Sequence, residues 1–229
     1  MAVRALVILH EENAPGGLVS SWLRERGAGE DAYLISADGR RGGRGPDPRA
    51  YDMVVSLGSE ESAYDDDVPW VPREVALLRD AVRADVPVLG ICFGSQILAR
   101  ALGGQALRAL QPEIGWIEVS SRQPGLVAEG PWFEWHYDTF TPPAGAVLLA
   151  ESPAGPQAYT VGRSLGVQFH PEVTNGIVEE WVSLGAGKLA QDGIDADLLL
   201  AETRSRAEEN RARTWRLMDA FVDRVAAIA

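Results

Sequence analysis

The chain is short of cysteine, of histidine and of positive charge, and each shortage narrows what it can be. Its 229 residues include one cysteine, at position 92. That excludes an internal disulfide framework and any zinc site built from several thiolates, and it fits a reducing compartment such as the cytoplasm. Lys and Arg number 21 against 33 Asp and Glu, a formal net charge of −12. A surface of that sign favours solubility and opposes nucleic-acid binding, which needs a basic face against phosphates. No uninterrupted apolar run approaches a membrane span, and the opening MAVRALVILHEENAPGG turns acidic too soon for a secretory leader. The expectation is a cytoplasmic globular chain with neither membrane nor nucleic acid as partner.

What is present reads as one domain over 1–229, 46% hydrophobic and long enough to bury a sizeable core. Residues 5–10 (ALVILH), 32–36 (AYLIS), 51–59 (YDMVVSLGS) and 86–91 (VPVLGI) are compact apolar runs. Helical patterns follow three of them: 18–27, ending at Gly27; 72–85, starting at Pro72; and 94–104. This alternation predicts a mostly parallel sheet with helices on both faces. Residues 37–50 form a Gly/Arg/Pro loop whose four arginines should face solvent. Beyond 104 the pattern turns to β, at 115–121, 146–152 and 157–170, the last a hairpin around Gly162-Arg163-Ser164. From Asp195 onward Trp215, Met218, Val222 and Val225 recur at helical spacing and predict one or two closing helices.

The single thiol stands where a buried strand becomes a helix, in PVLGICFGSQ (87–96). A central parallel strand delivers its last residue to the carboxyl edge of the sheet, where open α/β folds bind ligands. Gly90 and Gly94 flank Cys92 at two residues on either side, which permits a sharp turn. Such a turn exposes the side chain and leaves the Phe93 amide free at a helix N-terminus, where it can meet a developing oxyanion. Only three histidines are available as a base. His170, in GVQFHPE, ends an apolar strand, and Pro171 then sets the chain direction so that His170 and Glu172 project from the sheet edge together. A carboxylate so placed can hold the imidazole in one tautomer. Taken alone, each feature is also compatible with a buried hydrophobic thiol and with a solvated His/Glu pair.

Together, GICFGSQ and, 78 residues after the thiol, QFHPE resemble the two signature motifs of the class I glutamine amidotransferases. The resemblance covers most of the chain. It implies a three-layer α/β sandwich of flavodoxin-like type with a mostly parallel central sheet, a smaller antiparallel β part and C-terminal helices. It implies Cys92 as nucleophile, His170 as general base and acid and Glu172 as its orienting carboxylate, cleaving a γ-carboxamide through a thioester. The oxyanion donors implied are the amides of Phe93 and Ser59, the latter in Leu57-Gly58-Ser59-Glu60 where the family usually has Gly-Gly-Pro. Gly58, Gln96, His136, Tyr137 and Asp138 are the implied substrate-binding residues. No cofactor and no metal are implied. The substrate is glutamine or another γ-glutamyl small molecule. The ammonia goes either to a separate synthetase or transferase subunit, or nowhere, the chain being a free-standing hydrolase or transferase of larger γ-glutamyl conjugates. A catalytically silent scaffold is the third reading, opposed by the intact Cys-His-Glu set.

Two departures bear on the substrate. In PWFEWHYDTFTPP (131–143) His136 and Asp138 match the family's Ser/Asn-His-Gly-Asp, but Trp135 stands for the small polar residue and Tyr137 for the glycine. Either the aromatics pack in the core or they reshape the pocket wall. Free-standing putrescine-conjugate hydrolases of this superfamily usually carry Arg after the cysteine, where this chain has Phe93. The segment WHxDTF with a long charged C-terminal helix looks instead like stand-alone bacterial type 1 amidotransferases. No P-loop lysine motif and no Ser-Gly-Gly-x-Asp-Ser loop is present. His10, at the end of the first strand, and Asp65-Asp66-Asp67 read as solvated.

Overall fold

The computed structural model describes residues 3–39 and 45–228. Three of the loop arginines (40, 41 and 44) lie outside these, and the fourth, Arg49, is exposed. In chain order the strands are β1 (Arg4–Leu9), β2 (Gly29–Leu34), β3 (Met53–Ser56), β4 (Val88–Ile91), β5 (Gln105–Ile117), β6 (Ser120–Ser121), β7 (Trp132–Thr141), β8 (Val147–Ser152), β9 (Gly155–Val161) and β10 (Ser164–Val167). The helices are α1 (Gly17–Glu25), α2 (Ile35–Gly39), α3 (Val71–Arg83), α4 (Phe93–Ala101), α5 (Asn175–Gln191) and α6 (Ala196–Ala220).

Eight strands form one sheet in the order β2-β1-β3-β4-β10-β9-β8-β6. From β2 through β4 to β10 all pairs are parallel, and from β10 outward all are antiparallel. Strands β1, β3 and β4 are buried on both faces, which is why they read as unbroken apolar runs, whereas β2, at the edge of the sheet, is largely exposed. Their side chains alternate between two cores. Ala5, Val7, Met53, Val55, Leu89 and Ile91 face α1 and α6 on one side. Leu6, Ile8, Val54 and Val88 face α3 and α4 on the other. This is the expected three-layer sandwich. The hairpin at Gly162 is also as predicted, with Ser164 paired to Val161. The closing stripe is realised by α6 and the π-helical turn Phe221–Ala226 after it: Met218 is fully buried, with Trp215, Val222 and Val225 packed partly buried beside it.

Several boundaries differ from the sequence reading. The run 32–36 is split, since the chain turns into α2 at Ile35. Residues 57–59 leave β3 as a loop. The segment 115–121 is not one strand: its first part completes the 13-residue β5, which pairs with β7 in a separate two-stranded ribbon, and its end is the short β6. Helix α5 has no counterpart in the sequence reading. Three glycines lie within it (Gly176, Gly185, Gly187), which weakens its intrinsic helix preference. Thr174 caps it by accepting from the Ile177 amide. Its Ile177, Val178, Val182 and Leu189 form a third core with Phe133 of β7 and Leu199 of α6. Gly185 lets α5 pack closely on Trp135: a Cβ there would lie 3.2 Å from the indole, a tight contact.

Candidate active site

Strand β4 ends at Cys92, whose backbone takes φ 51° and ψ −110°, a conformation that costs a non-glycine residue about 1–3 kcal/mol. The turn is over-determined by its neighbours. A Cβ at position 90 would stand 2.4 Å from the Gly94 carbonyl oxygen, and one at 94 would stand 2.0 Å from that of Ser56, so both glycines are needed for close backbone approach. The Cys92 amide donates to the Val167 carbonyl (2.8 Å), and its own carbonyl accepts from the Ser95 amide (2.9 Å) and hydroxyl (2.7 Å). Phe93 opens α4, where an amide has no intrahelical acceptor.

The strand after Cys92 in the sheet is β10, and the chain leaving it carries His170 and Glu172 to the same edge. His170 Nδ1 and Glu172 Oε1 are 2.7 Å apart, both side chains buried. The carboxylate accepts, so Nδ1 carries the proton and Nε2 is left for other work. Nε2 is buried without a hydrogen bond of good geometry. Burial opposes a charge on this imidazole, but the Glu172 carboxylate and the neighbouring Cys92 sulfur outweigh it and raise its pKa well above the usual value. The loop is held by distant elements: Thr214 Oγ1 of α6 donates to the Pro171 carbonyl (2.6 Å), and the Leu18 amide of α1 donates to that of Glu172 (2.8 Å). Phe133, Trp135 and Trp181 form an aromatic wall whose Phe133 and Trp181 meet the His170 ring edge-on.

Cys92 and His170 line a cavity of about 660 Å³ together with Gly58, Ser59, Phe93, Gln96, Trp135, His136, Tyr137 and Asp138. Glu172 sits behind His170. Gly58 packs against the pair so closely that a Cβ on it would come within 3.0 Å of His170 Cε1. Ser59 Oγ donates to Glu11 Oε1 (2.7 Å). Gln96 Nε2 is committed to the Asp138 carbonyl (3.1 Å) and the Gln168 side-chain oxygen (3.2 Å). The Asp138 carboxylate accepts from Ser62 Oγ (2.6 Å) and from Arg108 (3.4 Å). Trp135 and Tyr137 both border the cavity. Tyr137 leans over it, with its hydroxyl bonded to Asp192 and its ring between Arg108 and Lys188, 5.0 and 4.9 Å from the centroid.

His10 is a correction: it is buried, not solvated, and does not reach the cavity. Its ring contacts Trp70 and Phe93 and bonds Glu74 and the Gly58 carbonyl. Asp65 is half-buried while Asp66 and Asp67 are exposed, Asp66 paired with Arg100 at 2.7 Å. The sequence reading also passed over Gln168, Glu11, Arg108, Trp181 and Lys188. Of these only Gln168 had a local signal, since it precedes His170 by two residues on a strand exit and so shares its face. Its Nε2 lies 3.6 Å from the Cys92 sulfur.

Glu113, Glu134 and His136 form a buried trio with donor atoms within 4.8 Å of one another, the arrangement a metal ion would use. His136 Nδ1 bonds the Asp138 carbonyl (2.9 Å) and so carries a hydrogen. Nε2 then faces Glu113 Oε2 at 3.2 Å and Glu134 Oε2 at 3.4 Å. Burial disfavours the imidazolium, but the two carboxylates raise its pKa to about 10. The raised pKa favours a hydrogen on Nε2, between the two carboxylates.

The model of the family described as glutamine amidotransferase class-I matches residues 51–180, a span that includes Cys92, His170 and Glu172. The chain is 35% identical over 151 residues to a glutamine-hydrolyzing GMP synthase of Aeropyrum pernix, covering 60% of this chain and 28% of that one. It is 34% identical over 175 residues to that of Thermus thermophilus, covering 69% and 33%. The chain therefore spans about a third of the length of these curated relatives. Among solved structures, a glutamine amidotransferase from Thermotoga maritima superposes with a TM-score of 0.88 at 28% identity over 97% of this chain and 99% of that one. One from Methylobacillus flagellatus gives 0.89 at 27% over 97% and 95%. The family match over more than half of the chain and the superposition on these structures agree, and the chain belongs to the class I glutamine amidotransferase family.

Proposed function

We propose that this chain hydrolyses a γ-glutamyl amide, glutamine or a larger conjugate, through a thioester on Cys92. The observation that carries this reading is the ordered set of a thiol on a strained turn, an imidazole beside it, and a buried carboxylate 2.7 Å from the far ring nitrogen. His170 Nε2 holds the proton taken from Cys92, as its raised pKa favours, the sulfur attacks the amide carbon, and the carbonyl electrons move onto oxygen. The Phe93 and Ser59 amides receive that oxyanion. His170 returns the proton to the amide nitrogen, the C–N bond breaks, and ammonia or an amine leaves. Water then gives His170 a proton while attacking the thioester, the C–S bond breaks, and sulfur is reprotonated. Glu172 keeps Nδ1 protonated throughout and itself transfers nothing.

The curated relatives are synthases in which the matched part is about a third of the chain. By that analogy the ammonia serves a separate synthetase or transferase. The second reading, a larger γ-glutamyl conjugate, is supported by Trp135 and Tyr137, which border the cavity where the family pattern has small residues.

A glutamine-like diazoketone should add one equivalent of mass at Cys92. Cys92→Ala should lose both this labelling and ammonia release while keeping the fold, and His170→Asn should slow release by several orders of magnitude. Full turnover by Cys92→Ala would refute the reading.

A further inference from the structure

Behind the loop that carries Ser59 lies a buried polar chain with no part in the chemistry above. Ser56 Oγ donates to Glu74 Oε1 (2.6 Å), Glu74 Oε2 meets His10 Nε2 (2.7 Å), and His10 Nδ1 meets the Gly58 carbonyl oxygen (2.9 Å). Both His10 and Glu74 side chains are wholly inaccessible. Buried polar groups without a pairing role are costly, and this pair ends on one backbone carbonyl.

We infer that His10, held by Glu74, is a positioning residue that fixes the peptide between Gly58 and Ser59 with its N–H toward Cys92. The inference rests on the proposed role of the Ser59 amide as an oxyanion donor. The geometry is direct. The Gly58 Cα stands against the catalytic pair, within 3.0 Å of His170 Cε1 for a Cβ built on it. The Gly58 carbonyl runs the other way, into the core, to His10. In a trans peptide the C=O and the following N–H point in opposite directions, so anchoring the carbonyl in the core turns the Ser59 N–H to the cavity side.

The chemistry of His10 makes the anchor one-sided. A carbonyl oxygen only accepts, so Nδ1 must carry hydrogen. Nε2 faces a carboxylate, so it too donates. Burial pulls against this imidazolium, but the charge and hydrogen bond of Glu74 prevail, and its pKa is raised. A flipped peptide would set the Ser59 N–H against the Nδ1–H, donor against donor in a dry site. Serine already lacks the freedom of glycine at this position. From the outer side Glu11 Oε1 accepts from Ser59 Oγ (2.7 Å) and the Glu60 amide (3.2 Å), so the loop is held on both flanks.

The test compares His10→Asn, His10→Gln, His10→Leu and Ser59→Pro in the full chain, with ammonia release from glutamine and Cys92 alkylation by iodoacetamide as paired readouts. Asparagine places its amide near the Nδ1 position and can still donate to Gly58, whereas glutamine reaches only the Nε2 position. Loss of one oxyanion donor costs about 10²–10³-fold in kcat. His10→Leu and His10→Gln should approach that loss with KM little changed, and His10→Asn should recover much of it. Alkylation is a displacement that builds no oxyanion, so it should run at the parental rate in all three His10 variants. A His10→Leu protein with parental kcat overturns the inference, as does one whose alkylation and turnover fall together, because that is damage to the triad. If Ser59→Pro is slow while His10→Leu is not, the lock fails and the donor role stands. If Ser59→Pro has parental kcat, the donor role fails and the lock with it.

Discussion

His136 shows how a side chain that matches a family motif acquires a second duty from its surroundings. It borders the cavity on one side and bridges two buried carboxylates on the other. Its pKa, raised to about 10, means that the folded chain holds a proton the unfolded chain releases near the ordinary value of about 6.5. The sign follows from linkage. The stabilisation is complete below about pH 6.5 and is lost as the pH climbs through about 10. Unfolding free energy should therefore decline over that interval more steeply in the parent than in His136→Gln, by up to ~1.4 kcal/mol per pH unit. His10 and His170 are raised in the same direction but remain in both proteins, so the difference between the two curves reports His136 together with the Glu134 carboxyl beside it, which burial pushes up. Equal slopes in urea titrations across the interval would remove the imidazolium from the trio.

At the level of elements, β7 and α5 together build the cavity wall, and the aromatic departures from the family pattern are where they meet. Trp135 packs on Trp181 and over Gly185, so it is both core and wall. Tyr137 is drawn toward the end of α5 by Asp192 and lies between two cations. Its ring borders the cavity. Replacing the ring by hydrogen in Tyr137→Gly should open the mouth and loosen contacts to a bulky leaving group. We expect kcat/KM for glutamine to rise relative to that for a γ-glutamyl anilide. Unchanged selectivity would reduce the ring to packing, and a parent that already hydrolyses glutamine as readily as the anilide would do the same. The ribbon β5–β7 was the least legible part of the chain. Its pairing joins residues such as Trp116 and Phe133 across a separate sheet, and no local periodicity says which partner a strand will choose.

Across the whole molecule the triad loop depends on two side chains of α6 that lie 37 and 43 residues beyond their partners in the chain. Thr214 donates to Pro171 and Asn210 Nδ2 to Val173 (3.1 Å), so the last long helix is fastened to the loop that carries His170 and Glu172. Thr214→Val keeps the volume but leaves a buried carbonyl unpaired, a loss of about 1–3 kcal/mol. A lower urea midpoint with an unchanged slope, accompanied by slower ammonia release, is the expected result. A parental midpoint would mean that the loop stands without the helix. No helix among the described residues is long and apolar enough to cross a membrane.

By itself the sequence determined the alternating strands and helices of the first hundred residues, the turn at Cys92 with its two glycines, the hairpin at Gly162 and the buried stripe of α6. These follow from spacing along the chain, a property of a few neighbouring residues. It also carried the two motifs that meet at the carboxyl edge, because adjacent parallel strands end there together. Only the tertiary structure decided that His10 turns inward to Glu74, that Gln168 faces the sulfur, and that a glycine-rich stretch becomes α5 around Trp135. Each of these depends on partners 64, 76 and about 50 residues away. A polar side chain at a strand end has the same local pattern whether water or a buried carboxylate receives it, and the choice is made by what the fold packs against it.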